Sequence, residues 1–171
     1  MLRRHGTDVT TKQIADAAGV AEGTLFRAFT DKETLISAAV DEAFDARETV
    51  HQLRDVDRSL PLRERMKAAV EIIATRLDAV WELIAALRLF GPPESRPQGR
   101  AAASREQMRQ LLPQELMALI EPDGEQLRVD TAQAARILNL VTVACTHPRI
   151  TEANPLTSDE IVDLLLDGLR A

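Results

Sequence analysis

The side chains best able to hold a metal or act as nucleophiles are few and scattered. His5, His51 and His147 stand far apart, without grouped partners at ligand spacing, and capping or surface roles are expected for them. Cys145 is the single cysteine, so it can form no internal disulfide, and on an apolar helix it is expected to pack as a small hydrophobe. No G-x-S-x-G elbow, phosphate loop, dinucleotide glycine fingerprint or His/Glu pair on one helix face occurs. Neither catalysis, nor a metal, nor a cofactor is expected. What remains is a short stretch dense in hydrogen-bonding groups: Thr10, Thr11, Glu22, Thr24, Arg27 and Lys32. That is the chemistry of recognition.

The elements that must position those groups follow from the spacing of residues 10–33, TTKQIADAAGVAEGTLFRAFTDKE. Ile14, Ala15 and Ala18 form the inward face of a short helix over Thr11–Ala18. Gly19 can take the positive φ that ends it, and Val20 anchors the turn. Leu25 and Phe29, four apart, form the inward face of a second short helix over Glu22–Phe29. Ala15 and Gly23 are small where the two helices must cross closely. The pattern is a helix-turn-helix: a supporting helix, a tight turn, and a second helix whose outer face is free for the major groove of DNA.

On these residues the sequence resembles the TetR family of transcriptional regulators. The match runs through Thr10-Thr11, Ile14-Ala15, Ala18-Gly19-Val20, Gly23, Leu25-Phe26, Phe29, Lys32-Glu33 and Leu35. The resemblance implies that Thr11 caps the first helix and touches a DNA phosphate, and that Lys32 reaches a second phosphate. A hydroxyl at a helix N-terminus and an ammonium beside backbone N–H groups suit those roles. Base contacts then fall to the outward residues of the second helix. Arg27 can fork onto guanine, Thr24 can touch a thymine methyl, and Glu22 can accept from cytosine N4. Thr10, Gly23 and Phe26 complete the expected DNA-facing set. Where the family often carries Tyr at position 26 and an aromatic or His at 28, this chain has Phe26 and Ala28, which donate nothing to a phosphate. The family also has a full helix before the glycine matching Gly6, and Met1–His5 supplies only part of one.

Bulk composition limits the partners. The chain has 171 residues, 45% apolar and 28% charged, an ordinary globular balance. Aromatics are 3%, too few for a base-stacking platform. Net charge is −6, and residues 1–44 hold five basic groups against seven acidic ones. Any DNA contact must therefore come from local placement of charge and not from a bulk field. No apolar run approaches the ~20 residues of a membrane span, and no basic-then-apolar signal opens the chain, so no membrane partner and a cytoplasmic location are expected.

Apolar spacing of three and four continues to the end of the chain, so the fold class expected is all-α. Residues 1–45 are expected to form the helix-turn-helix domain, its first helix incomplete, and 46–171 a helical effector-binding and dimerisation domain. The expected helices are Lys32 to about Leu53, Pro61 to Ala79, Trp81–Phe90, Arg100–Ile120 with a kink or split at Pro113, Asp130–Thr146, and one through Leu169 capped by Ser158. The stretch 91–99, rich in Pro and Gly, is expected to be an exposed loop.

Apolar residues on four of these helices suggest an effector pocket: Ile73 and Leu77, then Trp81, Leu87 and Phe90, then Met108 and Leu112, then Val141. Arg76 and Thr142 are the polar candidates for orienting a small, mainly apolar effector. The last two helices carry apolar residues on more faces than one core needs. Leu138, Val141, Cys145, Ile161, Leu164 and Leu165 are expected to meet a second copy. The function expected is a regulator, a repressor by preference, that binds a pseudo-palindromic operator as a homodimer and is released by its effector. The alternative is a helical dimeric ligand-binding module that no longer binds DNA.

Overall fold

A computed structural model describes residues 9–43, 45, 47–86, 100–152 and 154–169. The expected loop at 91–99, and Leu87 and Phe90 of the expected pocket, lie outside them. Among the described residues the backbone is helical with connecting turns, without a strand. The helices are α1 (Thr11–Ala18), α2 (Glu22–Ala28), α3 (Lys32–Ala43), α4 (Arg47–Asp55), α5 (Leu62–Ala86), α6 (Arg100–Ile120), α7 (Thr131–Thr146) and α8 (Ser158–Leu169), with a 3-10 segment over Glu121–Gln126. The chain divides into two compact units. The described parts of Met1–Asp45 and Ala79–Arg105 form one, and those of Ala46–Asp78 and Glu106–Ala171 form the other.

The second unit is built on one apolar core. Leu53 of α4, Met66, Val70 and Ile73 of α5, Leu116, Leu119 and Ile120 of α6, Leu138 of α7 and Ile161, Val162 and Leu166 of α8 are buried together. Each fully buried side chain of this size contributes about 1.5–3 kcal/mol by leaving water. Around that core the polar groups are paired across elements. Arg63 of α5 pairs with Asp163 of α8, Lys67 with Asp159 at 2.8 Å, and the Ser158 hydroxyl donates to Glu71 at 2.9 Å. Arg54 donates to Glu115 at 2.8 Å, joining α4 to α6. Arg65 is buried in the middle of the apolar stripe of α5. Its guanidinium pairs with Asp123 of the 3-10 segment and donates to the Arg58 carbonyl at 2.8 Å. The same segment passes close to the start of α7: a Cβ on Gly124 would lie 2.7 Å from the Thr131 methyl, so no larger residue fits there without a shift.

Four element expectations change. Lys32 to Leu53 is two helices, with Asp45 turned back on the Glu42 carbonyl between them. Residues 62–86 are one helix, because no Gly, Pro or capping residue interrupts Ala79-Val80-Trp81 and both Val80 and Leu83 are buried. α6 continues through Pro113 without splitting. The ring removes one backbone donor, but Leu112, Leu116 and Leu119 hold the two halves of the helix to the same core. The cap of α8 is Thr157 and not Ser158. Thr157 and Glu160 form a reciprocal capping box, with Glu160 N–H donating to the Thr157 hydroxyl at 3.2 Å and Thr157 N–H to the Glu160 carboxylate at 2.8 Å.

Candidate nucleic-acid interface

The first unit contains the helix-turn-helix expected from residues 10–33. α1 opens on a capping box. Gln13 N–H donates to the Thr10 hydroxyl at 3.2 Å, and Thr10 N–H donates to the Gln13 side-chain carbonyl at 2.9 Å. The cap is therefore Thr10 and not Thr11, because only Thr10 sits in extended backbone ahead of the first helical residue. Gly19 closes the helix at φ 68°, a left-handed conformation that costs glycine nothing. Its N–H donates to Asp16 and that of Val20 to Ala15, at 3.2 and 3.0 Å, the paired bonds of a Schellman turn. α2 starts on Ala21 with no side-chain cap, and ends where Phe29 turns extended.

Burial separates the two faces. Ala15 and Leu25 are buried, Ile14 and Phe29 half-buried. Gly23, Thr24, Phe26 and Arg27 are exposed, so the outer face of α2 carries a hydroxyl, a guanidinium and an apolar ring. Phe26 is 47% exposed, high for a large apolar side chain, and its ring carries no hydrogen-bond donor. Thr11 does not stand alone at the start of α1. Its hydroxyl donates to Glu22 Oε1 at 2.5 Å, joining the first turns of α1 and α2. That pairing was not legible in the sequence, since the two residues are eleven apart and on different helices.

Three residues separate the end of α2 from the start of α3. Asp31 accepts from Thr34 N–H at 2.7 Å, and that bond holds the Asp31 carboxyl below its usual range. The following residue, Lys32, is half-buried. It is the first residue of α3, after the turn of chain that follows α2.

The remaining expected sites fall elsewhere. Ile73 and Leu112 are buried members of the second unit's core, and Leu77 and Val141 pack against it half-buried. Thr142 is buried and donates its proton to the Leu138 carbonyl at 2.8 Å, so it is not free to donate to a ligand. Arg76 and Trp81 are half-buried. The side chain of Met108 lies outside the described set. Of the expected dimer contacts, Leu138, Ile161 and Leu165 are spent on the protomer's own core, at 5% exposure or less. Their spacing gave an apolar face but not which copy covers it. Val141 and Cys145 lie half-buried at the core's edge, and Leu164 is 59% exposed. Leu140, on the same helix as Val141, is 56% exposed.

Residues 1–39 match the family described as bacterial regulatory proteins, tetR family. No curated protein matches the sequence. Solved structures match over nearly the whole chain at low identity. The fatty acid degradation regulator FadR from Bacillus halodurans is 21% identical, with TM-score 0.60, over 99% of this chain and 94% of its own. The TetR transcriptional regulator SCO0520 from Streptomyces coelicolor is 24% identical, with TM-score 0.53, over 98% and 93%. The superantigen PfiT is 18% identical, with TM-score 0.64, over 99% and 90%. At these identities the likeness is one of fold, and a superantigen among the matches illustrates that fold alone does not carry function. The helix-turn-helix, with its capped first helix, left-handed Gly19 and exposed second-helix face, lies within the residues 1–39 that match the tetR family of bacterial regulatory proteins, and the fold of the whole chain is similar to that of solved TetR-family regulators.

Proposed function

We propose that the chain is a transcriptional repressor that binds a pseudo-palindromic operator as a homodimer and is released by a small, mainly apolar effector. The observation that carries the reading is the outer face of α2, where Thr24 and Arg27 are exposed while Leu25 anchors the helix from behind. A guanidinium forks onto guanine O6 and N7, and a threonine methyl packs on thymine, so this face specifies sequence. Lys32 at the start of α3 neutralises a phosphate without choosing among bases. Two copies related by a two-fold axis present two such helices to half-sites one helical turn apart.

Residues 1–45 supply this DNA-binding part, and 46–171 supply effector binding and dimerisation. Exposed Leu140 and Leu164 support a second copy against α7 and α8, since two large apolar side chains in water gain by covering one another. The apolar character of α5, α6 and α7 around Leu77 and Val141 supports an apolar effector, as does a regulator of fatty acid degradation among the similar folds. The effector acts by binding one dimer geometry better than the other, and a coupling of about 1–3 kcal/mol changes operator affinity some 5–150-fold.

Selection from a random duplex library tests the first half. A two-fold symmetric site enriched by the full chain, with affinity falling steeply as salt rises, is the expected outcome. Thermal shift tests the second: a saturating effector at a hundred times its Kd adds about 2.7 kcal/mol. Stabilisation by polar anions alone, with none by apolar compounds, contradicts the proposed effector class.

A further inference from the structure

Thr11 begins α1 and Glu22 begins α2, and the two meet through the hydroxyl that donates to Glu22 Oε1 at 2.5 Å. Both side chains are half-buried at the edge of the face that exposes Gly23, Thr24 and Arg27. A hydroxyl has one proton, so a Thr11 that gives it to Glu22 does not give it to a phosphate. The contact also bears on Glu22. A carboxylate beside the phosphate backbone is repelled, and it gains something there only where a base presents a donor. The major groove offers two such donors, cytosine N4 and adenine N6, and adenine sets its own acceptor N7 beside the donor. A carboxylate has two oxygens and about four acceptor positions, so the bond from Thr11 leaves ample capacity for a base donor.

We propose that Thr11 is a positioning residue for base recognition. Its hydroxyl holds the Glu22 carboxylate in place, and the held carboxylate accepts from cytosine N4 at one position of each half-site. Holding the group in advance spares the rotamer freedom that a loose Glu side chain loses on binding. The inference rests on the DNA-binding reading above and adds to it the base that Glu22 selects and the residue that aims it.

The test is duplex selection by the full chain and by Thr11→Val, Thr11→Ser and Glu22→Ala, each followed by affinity measurements across a salt series. Wild type selects a cytosine at one position per half-site. Thr11→Val and Glu22→Ala each lower that preference about tenfold, with other positions unchanged, while Thr11→Ser, which keeps the hydroxyl, retains it. Glu22→Ala also binds unselected duplexes more tightly, because a repulsive charge is gone. Thr11→Val leaves the salt slope as in wild type. A thermal melt of each variant accompanies the selection, and if Thr11→Val fails to fold, the Thr11→Ser and Glu22→Ala pair decides. Weaker binding of Thr11→Val to every duplex, with a flatter salt slope and the cytosine preference intact, makes Thr11 a phosphate contact and overturns the proposal. A selected site whose preferences respond to neither residue overturns it while leaving the DNA-binding reading standing. Failure of wild type to select any duplex overturns both.

Discussion

Arg27 and Lys32 are proposed to meet different parts of a duplex, a base edge and a phosphate, and substitution separates the two roles. Arg27→Ala is expected to relax base choice at one position of each half-site and to cost about 1–3 kcal/mol of specific binding. Lys32→Ala is expected to weaken binding to all duplexes alike and to flatten the salt slope, because a phosphate contact carries no sequence information. Titrations on the selected site and on a scrambled one at several salt concentrations distinguish the two patterns, and identical losses on both duplexes contradict the assignment. Cys145 belongs to the same scale. Burial pushes its thiol above the ordinary value, so less thiolate is present at neutral pH. At pH 8 it is expected to react with a disulfide reagent more slowly than a free cysteine model, a rate that absorbance follows directly. The exposure of Thr24 and Arg27 was legible in the sequence, because a 3.6-residue period with Leu25 and Phe29 inward sends them outward. The Thr11–Glu22 bond was not, since periodicity orders one helix and says nothing of which side chains meet across two.

Helix ends and one buried ion pair set the behaviour of the elements. Asp130 caps α7 by accepting from Gln133 N–H at 2.7 Å. Asp130→Ala is expected to cost about 1 kcal/mol in urea denaturation, since it leaves a first-turn N–H without its partner. Backbone and hydroxyl donors hold the Asp31, Asp57 and Glu160 carboxyls below their usual range, with the backbone N–H of Thr34, the backbone N–H of Ser59 and the backbone N–H of Thr157 as the leading causes. A lowered carboxylate contributes stability that is present above its ordinary pKa and is lost as pH falls through the folded value. Lys67 is raised, first by its hydrogen bond with Asp159, and its contribution is lost in the opposite direction, as pH rises through the raised value. The Tm is therefore expected to fall below about pH 4, and Glu160→Gln to show a shallower acid limb than wild type, which melts across a pH series measure. Asp123→Ala strands the buried Arg65 guanidinium and is expected to cost about 3–5 kcal/mol, while Arg65→Met with Asp123→Leu costs less than that single change. Denaturation of the three proteins decides it, and a double variant as unstable as Asp123→Ala contradicts this account of the pair. Arg65 carried a sequence signal, because it falls on the buried stripe with Leu62 and Ala69, three before and four after. Its partner did not, because Asp123 is 58 residues away in a segment legible only as a turn.

At the scale of the whole molecule, the all-α class and the helix-turn-helix followed from apolar spacing and a single glycine. The assignment of leucines to core or interface did not follow, because both burials demand the same residue types. Leu138, Ile161 and Leu165 serve the protomer, while Leu140 and Leu164 are exposed. Placing Asp at Leu140 or Leu164 is expected to give folded monomers by sedimentation, whereas Leu165→Asp is expected to unfold the chain, because an unpaired charge in a packed core is costly. A wild-type monomer at micromolar concentration contradicts the dimer. The outer face of α2 is proposed to bind duplex DNA through local charge on an otherwise acidic chain. The most direct test is the affinity of the full chain for its selected duplex across about 50–200 mM salt, in wild type and Arg27→Ala. Binding at low salt with a linear fall of log affinity against log salt is expected, with a loss in Arg27→Ala confined to the selected sequence. No binding to any duplex at the lowest salt, with the protein folded, would contradict it.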